Sequence, residues 1–342
     1  MHRVSRPPSG SEEQTRPSAG TPGARAALRD YVALARPAHW IKHVFIVPGI
    51  VLAWLLHGGS LRALLPAILL GGLSAALLAS ANYVLNEWLD ASFDAHHPIK
   101  SQRPAVTRRL SGAVVAVEYL GLAVSGLILA TLVSPLFALT AGVFLLAAVI
   151  YNVRPLRTKD RAHLDVISES LNNPLRLTLG WAMVDTQTLP PGSLLAAYWM
   201  GGAFLMAVKR LAEYRAALVE DGLGALHLYR RSFRAYDEKG LLVASLVYAQ
   251  LSGFFLAVFL LKYRIEYLLS LPLFAALFGV YLAVGLEEHS AAQAPEALFR
   301  ERSLWLVVSL LVVALALLTW IEVPALDGLT SPDYIELPFR GR

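Results

Sequence analysis

Nine apolar segments, each close to the length of about 17–25 residues that crosses a bilayer, dominate this sequence. Only 16% of the residues are charged, whereas a soluble protein would carry roughly 25%. The pattern therefore predicts an all-α integral membrane protein with nine transmembrane helices. The predicted spans are 40–57, 64–89, 113–133, 135–152, 164–184, 193–213, 240–262, 266–286 and 303–322.

The two ends of the chain differ in composition from this apolar region. Residues 1–28 are rich in Pro, Ser, Gly, Arg and Glu and lack an apolar period, so we expect a disordered cytoplasmic tail. Residues 29–322 are expected to form one transmembrane catalytic domain, and 323–342 a peripheral C-terminal tail. The absence of cysteine excludes disulfides and thiolate metal sites.

Basic residues are distributed unequally between the two sets of loops. With the N-terminus inside, 24 of the 30 Lys and Arg residues fall on the inner side, 5 fall on the outer side, and Arg176 lies within a span. Such a bias orients a protein in the plasma (inner) membrane with its basic loops in the cytoplasm. It also places the polar ends of the second, fourth and sixth spans at the cytoplasmic side, where we expect a polar cavity.

The second span ends in a dense acidic motif, Asn86-Glu87-x-x-Asp90-x-x-x-Asp94. At about 100° per residue, these four polar groups share one helix arc that is about 100° wide. Clustered carboxylates suit a hard cation such as Mg²⁺, which proteins usually hold through a few carboxylates plus substrate phosphates. The alternative is an ordinary solvated helix end.

A second polar cluster joins the fourth and fifth spans. Tyr151, Arg157 and Lys159 follow the fourth span, and a helical period places four polar residues on one stripe of the fifth. These four are Asp165, Glu169, Asn172 and Arg176. Ionisable groups at membrane depth usually face a cavity or each other. The alternative is an internal pair of Arg176 with Asp165 or Glu169 that only ties helices together.

Further bases lie at the same predicted side. Lys209, Arg210 and Glu213 close the sixth span, and Lys42 lies in the first. Each base could simply extend to the membrane interface. Together with the acids, however, they suit a magnesium-bridged diphosphate, because metal ions and bases neutralise the charge that develops on a leaving diphosphate.

The two acidic motifs resemble those of the UbiA superfamily of membrane prenyltransferases. Within it, three further motifs are most similar to the branch that transfers phosphoribose to decaprenyl phosphate. These motifs are Arg36-Pro-x-x-Trp-Ile-Lys-His, His97-Pro-x-Lys-x-x-Arg-Pro104 and Lys209-Arg-x-x-Glu213. The 153–159 segment also resembles aromatic and tetrapyrrole prenyltransferases.

The resemblance implies a nine-helix bundle and a set of site residues. Glu87, Asp90 and Asp94 would bind Mg²⁺, with Asp90, Asp94 and Asp165 as the catalytic acids. The implied substrate-binding residues are Lys42, Asn86, Lys100, Arg103, Tyr151, Arg157, Lys159, Glu169, Asn172, Arg176, Lys209 and Arg210.

The implied reaction moves 5-phosphoribose from phosphoribosyl diphosphate to a polyprenyl phosphate and releases diphosphate. The partners are then these two substrates and the lipid bilayer, with no nucleic acid; a homo-oligomer is left open. The main alternative is prenyl transfer from a polyprenyl diphosphate to an aromatic acceptor. A weaker alternative is an anion transporter, although no repeated halves with broken helices are evident.

The topology makes a direct prediction, because the chain has no cysteine of its own. Cysteines introduced by Ser101→Cys and Thr158→Cys should react with a membrane-impermeant thiol reagent only after the cytoplasmic face is opened. Labelling of either variant from outside intact cells would contradict the assigned orientation.

Overall fold

The computed structural model describes residues 24–97, 99–219, 222–288, 290–293, 298 and 300–329, and these residues are nearly all helical. The predicted tail residues 1–23 and 330–342 lie outside the described residues. The α-helices are α1 (Leu28–Leu34), α2 (Val47–His57), α3 (Leu61–Asp94), α4 (Pro104–Thr107), α5 (Gly112–Val133), α6 (Pro135–Asn152), α7 (Leu164–Ser170), α8 (Asn172–Ala182), α9 (Gly192–Val219), α10 (Leu223–Tyr229), α11 (Glu238–Tyr263), α12 (Leu271–Gly285) and α13 (Arg302–Leu318).

Short 3₁₀ helices connect several of these elements. They are Pro37–Ile46, Lys100–Gln102, Thr158–Asp160, Arg231–Ala235, Ile265–Ser270, Ala291–Gln293 and Pro324–Leu329. The helix α1 begins at Leu28, and a 3₁₀ helix lies within the predicted C-terminal tail. The division into two tails and one transmembrane domain stays a prediction.

Among the described residues, six helices are long and apolar enough to cross a membrane: α3, α5, α6, α9, α11, and α12 together with the 3₁₀ helix before it. Large apolar side chains remain exposed around the bundle, as expected for a surface that contacts lipid acyl chains rather than water. Examples are Leu69, Val117, Leu120, Leu132, Leu139 and Leu146. The prediction of a multi-pass, all-α membrane protein is therefore confirmed at this level.

The other three predicted spans take different forms. The segment predicted at 40–57 begins in a 3₁₀ helix, and the chain bends by 46° between Leu28–Trp40 and His43–His57. The segment predicted at 303–322 contains the 17-residue helix α13. Nine crossings therefore stay a prediction.

The third of these segments, predicted as one helix over 164–184, is divided into α7 and α8 at Leu171. Pro174 explains the position of the break, because proline has no N–H to donate to the carbonyl of Ser170. The side chains of Ser170 and Asn172 bond instead to the backbone carbonyls of Ile167 and Glu169, at 3.0 Å each. The break leaves two short helices where the sequence predicted a continuous polar stripe.

The polar ends of several elements meet at one end of the bundle. They are the C-terminal end of α3, the loop after α6, α7, and the C-terminal part of α9. Residues 223–236, which comprise α10 and the following 3₁₀ helix, lie over these polar ends. We name them the cap segment. The cap segment packs on α9 and on the 3₁₀ helix Thr158–Asp160, so it is positioned to cover the polar end.

Two glycines allow α2 and α8 to pack backbone against backbone. A Cβ atom at Gly180 would lie 2.1 Å from the Ile46 carbonyl oxygen, and one at Gly49 would lie 2.0 Å from that of Leu177. Neither obstacle is a flexible side chain that could move away, so the close approach requires glycine at both positions.

Gly180→Ala should therefore destabilise the protein, by about 1–3 kcal/mol as is usual for overpacking. Thermal unfolding of the detergent-purified protein measures the effect as a lower Tm. Gly142→Ala is the matched control, because no atom lies within 4 Å of a Cβ placed there. Equal unfolding temperatures for the two variants would contradict the packing argument.

Candidate active site

A cavity of about 570 Å³ occupies the polar end of the bundle, and we name it the reaction cavity. Twelve of the residues predicted from the sequence line it: Asn86, Asp90, Asp94, Lys100, Arg103, Tyr151, Arg157, Lys159, Glu169, Asn172, Arg176 and Lys209. They come from helices and loops far apart in the sequence. The structure thus brings most of the predicted polar residues to one cavity.

Three predicted site residues lie away from the cavity wall, and the side chain of a fourth is outside the described residues. Glu87 is 2% exposed and Asp165 and Arg210 are fully buried, and none of the three lines the cavity. Lys42 lies in the 3₁₀ helix Pro37–Ile46, and its side chain is outside the described part of the structure.

The acids of the first motif are each paired with a base. Asp90 Oδ1 accepts hydrogen bonds from Arg157 Nη2 at 2.8 Å, and Lys159 Nζ lies 2.6 Å from the same oxygen. Asp94 Oδ2 accepts from Arg103 Nη1 at 2.5 Å. These pairs bring the bases predicted to hold phosphates next to the acids predicted to hold the metal.

Glu87 pairs with Arg36, which the sequence analysis had not assigned to the site. Its Oε2 accepts from Arg36 Nε at 2.9 Å and Nη2 at 2.5 Å, and its buried Oε1 has no hydrogen-bond partner. Glu87 does not line the cavity, and its role as a metal ligand stays a prediction. A cavity-lining metal would be reached by Asp90 and Asp94 instead.

A divalent cation fits this donor set in one specific sense. Within the described ranges, no three acidic or histidine side chains converge as a preformed metal cluster. Magnesium does not need one, since it is usually bound by one or two carboxylates together with substrate phosphates. Asp90 and Asp94 are two carboxylates on one cavity wall, with the Asn86 amide beside them.

The second acidic motif is organised around Arg210. Its guanidinium donates to Asp165 Oδ2 at 3.1 Å, to Glu169 Oε2 at 2.7 Å and to Glu213 Oε2 at 3.1 Å. All three of its nitrogens are therefore committed to carboxylates in a fully buried position. We correct the expectation that Arg210 holds a substrate phosphate, because no guanidinium nitrogen remains without a carboxylate.

Asp165 is likewise enclosed by protein groups. Ser232 Oγ and Tyr236 OH, both from the cap segment, donate to it at 3.0 and 2.5 Å. With Arg210 also bound, both carboxylate oxygens have partners and neither faces the cavity. Asp165 therefore fixes the cap segment to the bundle, and direct contact with substrate, which the sequence predicted, does not fit its position.

Arg230 is a site residue that sequence reasoning missed. Its Nη2 donates to Tyr151 OH at 2.8 Å and lies 3.4 Å from both Glu169 Oε2 and Asp165 Oδ2. It belongs to the cap segment, which carries no acidic motif. The only sequence signal is the run of bases Arg230, Arg231 and Arg234.

Three bases of the reaction cavity have no carboxylate partner. Among the described residues, Lys100, Arg176 and Lys209 form no ion pair, and the buried Nε of Arg176 has no hydrogen-bond partner. Arg176 lies 5.7 Å from the Phe144 ring, and Lys100 lies 4.2 Å from the Tyr229 ring. The expected alternative, a pair of Arg176 with Asp165 or Glu169, is absent from this part of the chain because Arg210 takes both acids.

Fold and cavity together define a class: a polytopic membrane protein with an acid- and base-lined cavity at one end of its helical bundle. The model of the UbiA prenyltransferase family matches residues 45–307. The chain belongs to the UbiA prenyltransferase family.

Two curated proteins are similar in sequence. The nodulation protein NoeC of Azorhizobium caulinodans is 30% identical over 216 residues, which are 63% of this chain and 66% of NoeC. The protoheme IX farnesyltransferase of Alkalihalophilus pseudofirmus is 29% identical over 194 residues, 55% of this chain and 62% of that enzyme. The chain thus spans somewhat less than two thirds of the length of both relatives.

Solved structures share the fold. A UbiA homolog from Archaeoglobus fulgidus bound to DMAPP and Mg²⁺ has a TM-score of 0.63 at 18% identity, covering 85% of this chain and 100% of that one. The same homolog bound to GPP and Mg²⁺ gives a TM-score of 0.63 at 19% identity, also covering 85% and 100%.

Two cavity lysines outside the spans have altered acidity. Burial lowers the pKa of Lys100 to about 7, reinforced by Lys209 and Arg103 and opposed by Glu213 and Asp94. Burial likewise lowers the pKa of Lys159 to about 8, with Arg157 reinforcing the effect and Asp90 opposing it. Both lysines therefore lose their charge within the range where an enzyme can be assayed.

The Lys100 amine binds an anion only while it is protonated. Because its pKa is about 7, kcat/KM for an anionic substrate should fall as the pH rises above about 7. If neutral Lys100 does not bind, the loss at about pH 8 is about tenfold. Lys100→Arg should remove this first fall, because a guanidinium stays charged. The later fall from Lys159 should remain in both proteins. Superimposable pH profiles of wild type and Lys100→Arg would contradict the assignment.

Proposed function

We propose that this protein transfers 5-phosphoribose from phosphoribosyl diphosphate to a polyprenyl phosphate of the decaprenyl type, releasing diphosphate with the help of Mg²⁺. The observation that carries the proposal is the surplus of bases in the reaction cavity. Lys100, Arg176 and Lys209 have no carboxylate partner among the described residues, in addition to the bases already paired with Asp90 and Asp94.

The surplus matters because buried charges need partners. A prenyl diphosphate brings one anionic end and an apolar chain, whereas the phosphoribosyl reaction brings a diphosphate, a 5-phosphate and a lipid phosphate. Each phosphate that leaves water requires charge-assisted hydrogen bonds to offset its lost hydration. The three bases that lack a carboxylate partner among the described residues can supply the partners of a second and a third phosphate.

The residues around Asp90 suit a diphosphate leaving group. Asp90 and Asp94 would hold Mg²⁺, and the metal would neutralise the charge that develops on the leaving oxygen. Arg103, Arg157 and Lys159, now paired with these acids, can turn their donors to the diphosphate oxygens. Arg presents a planar fork and Lys a point charge, so both non-bridging and terminal oxygens find partners.

The reaction itself needs no protein nucleophile. The phosphate oxygen of the polyprenyl lipid would attack C1 of the ribose as the C1–O bond to diphosphate breaks, and the electron pair leaves with the diphosphate. The acceptor is already ionised as a phosphate ester, so no general base is required. Lys209 and Arg176 would position the anionic acceptor or the 5-phosphate.

Prenyl transfer to an aromatic acceptor is the second candidate. The relative named as a farnesyltransferase and the neighbours bound to DMAPP and GPP favour it. The cavity also contains Tyr83, Phe93, Phe144 and Tyr151, whose ring faces could stabilise an allylic cation. Localisation in the plasma membrane with the cavity facing the cytoplasm belongs to the proposal in either case.

A donor assay separates the candidates. Purified protein with Mg²⁺ should convert phosphoribosyl diphosphate and decaprenyl phosphate into a lipid-linked phosphoribose and free diphosphate. It should leave geranyl diphosphate and 4-hydroxybenzoate unchanged. Asp90→Asn should lower turnover by about 10²–10³, as expected when a charge-stabilising group is lost. The control is Glu118→Gln, which changes an acid of α5 that does not line the cavity.

Prenylation of the aromatic acid without use of phosphoribosyl diphosphate would overturn the proposed donor and leave the second candidate. Transport of a phosphorylated solute without release of diphosphate would place the protein among carriers instead. Full turnover by Asp90→Asn would exclude the metal site at the first motif.

A further inference from the structure

A second cavity, of about 670 Å³, adjoins the reaction cavity. It lies between the end of α3, the loop that follows α6, and the cap segment. Phe93, Asn152 and Arg157 border both cavities. The other basic residues that line the second cavity are His96, Arg154, Arg231 and Arg234. We name this space the arginine antechamber.

The charge of the antechamber has one sign. Four arginines and a histidine line it, and none of the described residues in its lining is Asp or Glu. Arg154 and Arg234 form no ion pair with any described carboxylate, and Arg231 approaches Asp160 only at 4.0 Å. Arg157 is paired with Asp90 and Asp160, but the guanidinium groups of Arg154 and Arg234 lack such a carboxylate among the described residues, so this arrangement favours an anionic ligand.

Two of the arginines are held by the same aromatic ring. The guanidinium carbons of Arg157 and Arg231 lie 4.9 and 5.3 Å from the centroid of Phe93. A guanidinium that is already stacked on a ring loses less conformational entropy when it binds a ligand, so the stacking favours binding. Arginine forks of this kind match the oxygens of phosphate groups.

The position of the antechamber connects it to the reaction cavity through one side chain. Arg157 donates to Asp90 and Asp160 with Nη2 and Nε, and to the Asn152 carbonyl with Nη1. The other arginines, Arg154, Arg231 and Arg234, are exposed to solvent. An anion can therefore reach the antechamber from water, and the Arg157 side chain that lines it contacts Asp90.

We propose that the arginine antechamber is a second anion site, separate from the reaction cavity, that binds a phosphate or diphosphate group. The ligand is either a water-soluble phosphate compound or the headgroup of an anionic lipid at the membrane surface, since both present the same oxygens. Only the role of this site in supplying the donor or releasing diphosphate rests on the proposed function. Binding itself requires no turnover.

The test counts bound diphosphate. Full-length protein in nanodiscs of phosphatidylcholine is equilibrated with radiolabelled inorganic diphosphate in the presence of Mg²⁺. Wild type should bind two diphosphates per chain, and Arg154→Gln/Arg234→Gln should bind one. The affinity of the antechamber site should fall at least about tenfold, as expected when charge-assisted hydrogen bonds are removed. Arg161→Gln, in the same loop but outside the lining, should keep both sites.

Further arms identify the source of the ligand and guard against misfolding. Arg154→Lys/Arg234→Lys keeps the charge and should restore the second site, whereas a merely misfolded glutamine variant would also lose the first. In nanodiscs that contain phosphatidylglycerol, loss of the second diphosphate from wild type would identify a lipid headgroup as the occupant. Retention of both would identify a soluble phosphate compound.

Equal numbers of bound diphosphate in wild type and in Arg154→Gln/Arg234→Gln, within neutral nanodiscs, would overturn the proposal. This outcome is distinct from failure of the donor assay. Catalysis with a different donor would leave two diphosphate sites in place, and a missing antechamber site would leave phosphoribosyl transfer in the reaction cavity unaffected.

Discussion

The buried guanidinium of Arg210 is the interaction on which the polar end of this bundle depends. It joins Glu213 of its own helix to Asp165 and Glu169 of α7. Removal of one partner from such a network typically costs about 3–5 kcal/mol, because the remaining charges stay buried without compensation. Since Asp165 also accepts from the cap segment, the same network positions Arg230 over the reaction cavity.

This arrangement gives the two acidic motifs different tasks. The carboxylates of the second motif pair with Arg210 and Arg230, so they join α7 to α9 and to the cap segment. Asp90 and Asp94 of the first motif lie on the cavity wall, where they pair with bases that follow α3 and α6. Pairs of this kind can exchange, because a diphosphate and a metal ion bring the bases new anions and the acids a new cation. The first motif is thus the part of the site suited to a charged ligand.

Much of this organisation could be predicted from the sequence. The length of the apolar runs identifies the six long helices, and the helical period places Asn86, Asp90 and Asp94 on one side of α3, where all three line the cavity. Partner choice could not be predicted. Arg36 and Glu87 are 51 positions apart, and Arg230 and Glu169 are 61 apart. The expected pairing of Arg176 with Asp165 or Glu169 on one continuous helix is wrong. The helix breaks at Leu171, and Arg210 of α9 pairs with both acids instead.

Arg157 links the two cavities in charge as well as in space. Its guanidinium donates from Nη2 to Asp90 and lies over the ring of Phe93, which also supports Arg231. An anion in the antechamber would compete with Asp90 for this guanidinium, and a weaker Arg157–Asp90 pair leaves more of the carboxylate's charge for a metal ion. Anion binding in the antechamber and metal binding at Asp90 would therefore be coupled through the Arg157 side chain. Since such coupling is reciprocal, a metal ion at Asp90 would in turn strengthen anion binding in the antechamber.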